Sequence, residues 1–180
     1  AVIRKSGYSG RCVVRNSITP MLAEHIASQI YENFAFEPTP AQKKAIERLG
    51  GFLCGDAQDR IFILNGYAGT GKTSLIAALV KTLSGLRVRT ILLAPTGRAA
   101  KVMSRYAGAK AYTIHKKIYR QKSLASEDAS FSLDYNKEKG AVFIVDEASM
   151  LSNYSSDGSI FGSGQLLEDL IAYIRKGCDC

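Results

Sequence analysis

The run from Ile61 to Leu79, IFILNGYAGTGKTSLIAAL, constrains the chain most, because it reads as a strand, a glycine-rich turn and a helix in immediate succession. Ile61, Phe62, Ile63 and Leu64 form a short apolar run rich in β-formers, which predicts a central strand of a sheet covered on both faces. Gly66, Tyr67, Ala68, Gly69, Thr70, Gly71, Lys72 and Thr73 then match G-x-x-x-x-G-K-[ST], with Ser74 following in the helix. Glycines let the backbone curl until successive N–H groups point inward, the arrangement that cradles a phosphate. On this pattern Lys72 lies along the β- and γ-phosphates of a nucleotide and the Thr73 hydroxyl ligates Mg²⁺. A helix starting there aims its positive end at the same anion. A glycine-rich turn with a chance lysine is the plain alternative; the strand before and the helix after it count against that.

The phosphate loop needs an acidic partner, and Ala141-Val142-Phe143-Ile144-Val145-Asp146-Glu147 supplies one as an apolar strand ending in two acids. Asp146 is expected to hold the water shell of Mg²⁺ and Glu147 to polarise the attacking water. An apolar run ending in Asp-Glu says little alone, but here it stands 74 residues after Lys72 in a chain already carrying the loop. Between them, Leu75, Ile76, Leu79, Val80 and Leu83 keep helical spacing, and Gly85 ends that helix. Val88–Ala94 reads as the next strand, Pro95-Thr96-Gly97 stops it, and Arg98–Tyr106 returns to a helical pattern. Strand, helix, strand in this rhythm predicts parallel pairing with right-handed crossovers.

Ahead of the loop, residues 1–17 have no apolar period and read as an irregular arm; the domain proper is expected over 18–180. Thr19-Pro20 reads as a helix start, with Leu22, Ile26 and Ile30 forming its apolar stripe. Thr39-Pro40 opens a second helix, and Gln42 falls one turn in. Its planar amide carries a donor and an acceptor, which suits the N6/N7 edge of adenine, although a plain surface glutamine fits the sequence equally.

After the second strand, Tyr112, Thr113 and His115 lead into Lys116, Lys117, Tyr119, Arg120 and Lys122. Aromatics among cations suit a single-stranded nucleic-acid track, with rings for bases and charges for phosphates. A short amphipathic helix with solvated lysines is the alternative. Residues 121–140 read as a polar insertion with a short strand at Phe131–Tyr135, and the serines and glycines of 152–164 as a mobile loop. Leu166, Leu167, Leu170, Ile171 and Ile174 make a closing helix.

With 180 residues, 46% of them hydrophobic, the chain can bury one sizeable core, which excludes disorder as a whole. It has no run long and apolar enough for a membrane span and no secretory signal, so a cytoplasmic protein without a membrane partner is expected. Cys12, Cys54, Cys178 and Cys180 show neither disulfide-framework nor zinc spacing and read as thiols. The net charge of +8 is segregated: Arg60–Ser126 holds thirteen Lys or Arg and no acid, while the rest of the chain carries −5. Such segregation fits a face built for a polyanion, or a solvated basic surface that also steers nucleotide.

In their order, PTPAQKKAI at 38–46, GYAGTGKTS at 66–74, APTGRAAKVM at 94–103, TIH at 113–115 and VDEASM at 145–150 resemble the first motor domain of superfamily 1 helicases. The likeness is nearest to the RecD-like and Dda-like branch, which moves 5′ to 3′ on DNA, and covers about Phe36 to Glu168. It implies an α/β fold, a RecA-like P-loop NTPase of three layers (α/β/α) with a mostly parallel sheet, incomplete at its C-terminal end. ATP and Mg²⁺ are the implied cofactors and single-stranded DNA the implied partner. Gln42 would read adenine, Lys72 and Thr73 hold phosphate and metal, and Asp146 and Glu147 serve metal and water. Thr96 and Thr113–His115 would touch the single strand, with Arg98, Lys116 and Lys117 beside them.

The family continues with a Gly-Asp strand, a γ-phosphate-sensing glutamine and a second motor domain carrying arginine fingers; none follows Cys180. By this resemblance the chain is the amino-terminal part of a motor whose other half is its partner, and these residues alone should neither unwind DNA nor turn over ATP appreciably. The missing strand would lie between the phosphate-loop strand and the Asp146 strand, so both neighbours are expected to lack a ladder partner. The competing reading is a self-contained nucleotide-binding switch or adaptor.

Overall fold

A computed structural model describes residues 2–5, 18–55, 61–121, 131–151 and 161–176. Its sheet has five strands in the order β2-β1-β7-β3-β4, where β1 is Val2–Lys5, β2 Ile61–Ile63, β3 Thr90–Ala94, β4 Ala111–Thr113 and β7 Val142–Val145. A separate antiparallel pair joins β5 (Tyr119–Gln121) to β6 (Phe131–Leu133). The helices are α1 (Ile18–Glu32), α2 (Pro40–Cys54), α3 (Lys72–Gly85), α4 (Gly97–Ala107), α5 (Ile114–Ile118) and α6 (Leu166–Lys176).

Alternation along the central strands builds two cores, because successive side chains leave a strand on opposite faces. Leu92 of β3 and Ile144 of β7 join Ile30, Ile46, Leu49, Ile76, Leu79 and Met103 beneath α1–α4. Leu93, Phe143 and Val145 turn the other way, against Ile114, Ile118, Leu170, Tyr173 and Ile174 of α5 and α6. The result is the expected α/β/α layering. Strands β7, β3 and β4 are parallel, with Leu92 opposite Ile144 and Ala94 opposite Thr113.

Helix starts are chemically explicit. Thr39 caps α2 in a capping box: its hydroxyl accepts from the Gln42 N–H at 3.3 Å, and the Gln42 side-chain oxygen accepts from the Thr39 N–H at 2.8 Å, with Pro40 at the first helical position. Thr96 and Thr113 cap α4 and α5 through the hydroxyl alone, accepting from the Ala99 and Lys116 N–H groups. On α1 the stripe narrows: Ile26, Ala27 and Ile30 are buried, but Leu22 is exposed.

Three expectations change. Residues 2–5 of the supposed arm form β1, which pairs antiparallel with both β2 and β7. Four residues are too short to show a period, and their partners lie far along the chain. The position expected to be empty is thus occupied, by a strand of reversed direction, and the inner edges of β2 and β7 are both paired. Finally, β2 stands at the end of the strand order rather than in the centre. Phe62 packs on Phe52 with ring centroids 5.6 Å apart, whereas Ile63 on the opposite face is 72% exposed. That face is not closed over by α6: Ile61 and Ile63 line an apolar groove of about 140 Å³ together with Leu167 and Ile171. Residues 6–17, the tip of the insertion at 122–130, most of the serine-rich loop at 152–160, and Cys12, Cys178 and Cys180 lie outside the described residues. Among the described residues no helix is long and apolar enough to cross a membrane.

Candidate nucleotide site

Both β2 and β7 run opposite to β1, so they run parallel to each other, and Val2 lies between Ile63 on one side and Val145 on the other. The loop after β2 and the carboxylate after β7 therefore leave the sheet at the same level, two strand spacings or roughly 9.5 Å apart. β3 and β4 share that direction, which brings Thr96 and Thr113 to the same edge. Ligands of open α/β sheets gather at the carboxyl ends of the strands.

The loop itself requires glycine. Gly69 and Gly71 sit at φ of 77° and 79°, in the left-handed region where other residues are strained. A Cβ on Gly71 would also collide with the side-chain nitrogen of Gln42. Gly71 caps α3 and offers no side chain to its first-turn N–H groups, which leaves them directed at whatever the loop encloses. Thr70 braces the turn, its hydroxyl donating to the Tyr67 carbonyl at 2.8 Å. Lys72 folds back over the loop and donates to the carbonyls of Gly66 (2.5 Å) and Tyr67 (2.6 Å). Gln42 donates to the Thr70 carbonyl at 3.0 Å, so the first turn of α2 and the loop are joined. Together they border a cleft of about 610 Å³ whose other walls include Phe34, Phe36 and Glu37. Sequence reasoning missed the two phenylalanines, although Phe36 stands only six positions before Gln42. Tyr67 projects from the loop, 90% exposed.

Asp146 accepts from two donors: the Tyr106 hydroxyl reaches Oδ2 at 2.5 Å and the Glu147 N–H reaches Oδ1 at 2.9 Å. Burial, then the hydrogen bond to Asp146, then the charges of Asp146 and Glu147 push the Tyr106 phenol far above its ordinary value. Glu147 is exposed and adopts φ of 52°, the left-handed region, where it leads into a 3₁₀ turn at Ala148–Met150. An oxygen set of one hydroxyl, Thr73, and one carboxylate, Asp146, fits Mg²⁺, which keeps most of its waters and needs few protein ligands. Among the described residues no cluster of three or more His, Cys, Asp or Glu offers a fuller metal cage.

The residues expected at a nucleic-acid track divide. Thr96 and Arg98 are exposed at the start of α4, and Lys116 is exposed on α5. His115 is half-buried beside Tyr119 and edge-on to Phe161 at 5.2 Å, and burial lowers its pKa, so the ring is neutral near pH 7. Lys117 is otherwise engaged: its ammonium is 2.6 Å from the buried Glu138 carboxylate and 5.7 Å from the Tyr112 ring centre.

Strand, phosphate loop, helix and a carboxylate at the same level of the sheet define a P-loop nucleotide-binding domain. The chain belongs to the AAA domain family, whose model matches residues 38–158, and it is a superfamily 1 helicase-like member of the P-loop class. It is 29% identical over 147 residues to the multifunctional conjugation protein TraI of Escherichia coli, covering 77% of this chain and 7% of that protein. It is 30% identical over 122 residues to the ATP-dependent RecD2 DNA helicase of Deinococcus radiodurans, covering 64% and 16% respectively. It is 37% identical over 90 residues to the ATP-dependent DNA helicase dda of Enterobacteria phage T4, covering 48% and 20%. The chain thus spans a fifth or less of the length of each of these relatives.

Proposed function

We propose that the chain is the ATP-binding part of the first motor domain of a cytoplasmic, 5′-to-3′ DNA helicase, and that in the longer protein ATP hydrolysis drives movement along single-stranded DNA. The observation that carries this reading is the shared edge: the phosphate loop, Asp146, Thr96 and Thr113 all lie at or just past the carboxyl ends of strands running in one direction. Gly66–Ser74 would enclose the phosphates, Gln42 would meet the adenine, and Thr73 and Asp146 would hold Mg²⁺, which when bound neutralises charge on the phosphates. Glu147 would accept a proton from water, and Lys72 would leave its carbonyl partners for phosphate oxygens. Thr96, Arg98, Thr113, His115 and Lys116 would contact the strand, with Lys117 held back by Glu138. Lys72→Ala should abolish binding of a labelled ATP analogue in Mg²⁺, and unchanged affinity would overturn the assignment.

One observation favours the second reading, a self-contained nucleotide switch. With β1 in place, β2 and β7 are both paired on their inner edges. Phosphate release decides between them. Hydrolysis by the motor needs an arginine finger from its partner domain, typically worth 10³ to 10⁵ in rate, so the 180 residues alone should turn over negligibly with or without DNA. Robust turnover by the isolated chain would favour the switch.

A further inference from the structure

Tyr106 belongs to none of the motifs that mark the nucleotide site, yet it makes a short polar contact to it. It stands in the last turn of α4, forty positions from Asp146 in sequence, and its hydroxyl donates to Asp146 Oδ2 at 2.5 Å. Helical side chains lean toward the helix's own N-terminus, so a tyrosine near the end of α4 points back toward the edge of the sheet from which α4 descends. The ring packs against the core beneath α1–α4. With Thr73 and Ala77 of α3 it lines a cavity of about 560 Å³. Tyr106 therefore shares a cavity with one of the two oxygen donors suited to Mg²⁺ and is bonded to the other.

The contact fixes the carboxylate. Oδ1 is held by the Glu147 N–H and Oδ2 by Tyr106, so neither rotation about the Cβ–Cγ bond nor a rotamer change is possible without breaking a hydrogen bond. A carboxylate has about four lone-pair sites, so each oxygen retains one for a water of a hydrated cation. The grip orients Asp146 without using it up. A half-buried phenol also needs a polar partner, which makes Asp146 as necessary to Tyr106 as the reverse.

We infer that Tyr106 is a positioning residue for Asp146, and that it sets how strongly Mg²⁺ enhances nucleotide binding; this rests on the nucleotide-site reading above. Partners that orient a metal-facing carboxylate typically contribute 10- to 100-fold in metal affinity. The test measures the affinity of a fluorescent, non-hydrolysable ATP analogue for the 180-residue chain in saturating Mg²⁺ and in EDTA, for wild type, Tyr106→Phe, Asp146→Asn and the double variant. Tyr106→Phe keeps the ring and its packing, so affinity in EDTA should be unchanged while the gain from Mg²⁺ falls about tenfold. In the Asp146→Asn background the same change should have no further effect on that gain. A full Mg²⁺ gain in Tyr106→Phe, an equal fall with and without Mg²⁺, or an undiminished effect in the Asp146→Asn background would each overturn the role of Tyr106. Failure of the wild-type chain to bind the analogue at all would instead overturn the nucleotide site, and the inference with it.

Discussion

Gln42 and Thr70 are joined across twenty-eight positions by one hydrogen bond, from the glutamine amide to the threonine carbonyl at 3.0 Å. The same side chain closes the capping box of α2 through its oxygen. Gln42→Glu separates the two jobs: a carboxylate still accepts from Thr39 but has no proton to give Thr70 and faces its carbonyl. The cap should survive, so stability should change by less than about 0.5 kcal/mol. ATP affinity should fall, and preference for ATP over GTP with it. Gln42→Ala should lose about 1 kcal/mol as well, since it removes the capping box too. Thermal melts and nucleotide competition check both.

Glu147 carries a carboxylate and a backbone strain at one position. The left-handed conformation at φ 52° costs a non-glycine residue about 1–2 kcal/mol. Glu147→Gly and Glu147→Ala remove the same acid, but only glycine relieves the backbone. The glycine variant should be the more stable by about 1 kcal/mol in denaturant titration, after its greater unfolded-state freedom is offset. A glycine variant less stable than the alanine variant would mean that the conformation carries no strain.

Adjacent lysines on α5 should behave differently. Lys116 is exposed, so Lys116→Glu should leave the melting temperature nearly unchanged and lower both the affinity for single-stranded DNA and the steepness of its salt dependence. Lys117 is 18% exposed and bonded to Glu138, itself buried and also 2.6 Å from Arg89. Lys117→Glu sets two acids against each other in that site and should cost about 2 kcal/mol or more. DNA affinity unchanged by Lys116→Glu would move the track elsewhere.

His115 links stability to pH. Burial depresses its pKa in the folded chain, so below the ordinary value of about 6.5 the unfolded chain takes up a proton that the folded chain resists. Its contribution is therefore fully present above that value and is lost as the pH falls below it. Urea midpoints between about pH 5 and 7 should show this slope, and His115→Gln should flatten it.

What the sequence made legible was local. The phosphate loop, its glycines and the Thr39–Pro40 helix start depend on neighbours within a few residues, and each lies where its pattern put it. The apolar run to Val145 announced a strand, and it is one, buried along its length. Partnerships across long separations left no trace. Nothing near Tyr106 points to Asp146, nothing near Lys117 points to Glu138, and the edge position of Ile61–Ile63 depends on which strands flank it. Four residues at the start of the chain, without period or turn signal, could not be read as the strand that completes the sheet.

That strand has a kinetic consequence. Val2 pairs with Val145, and Lys5 with Val142, so the middle of the sheet is sewn together by residues about 140 positions apart. Such a contact closes a very long loop and forms late, because the entropy of closure must be overcome before the ladder rewards it. During synthesis β1 emerges first and waits for β7 while β2, β3 and β4 are made. In that interval the edge of β1 that faces β7 is open, and a strand from elsewhere, within the chain or outside it, can take the place of β7.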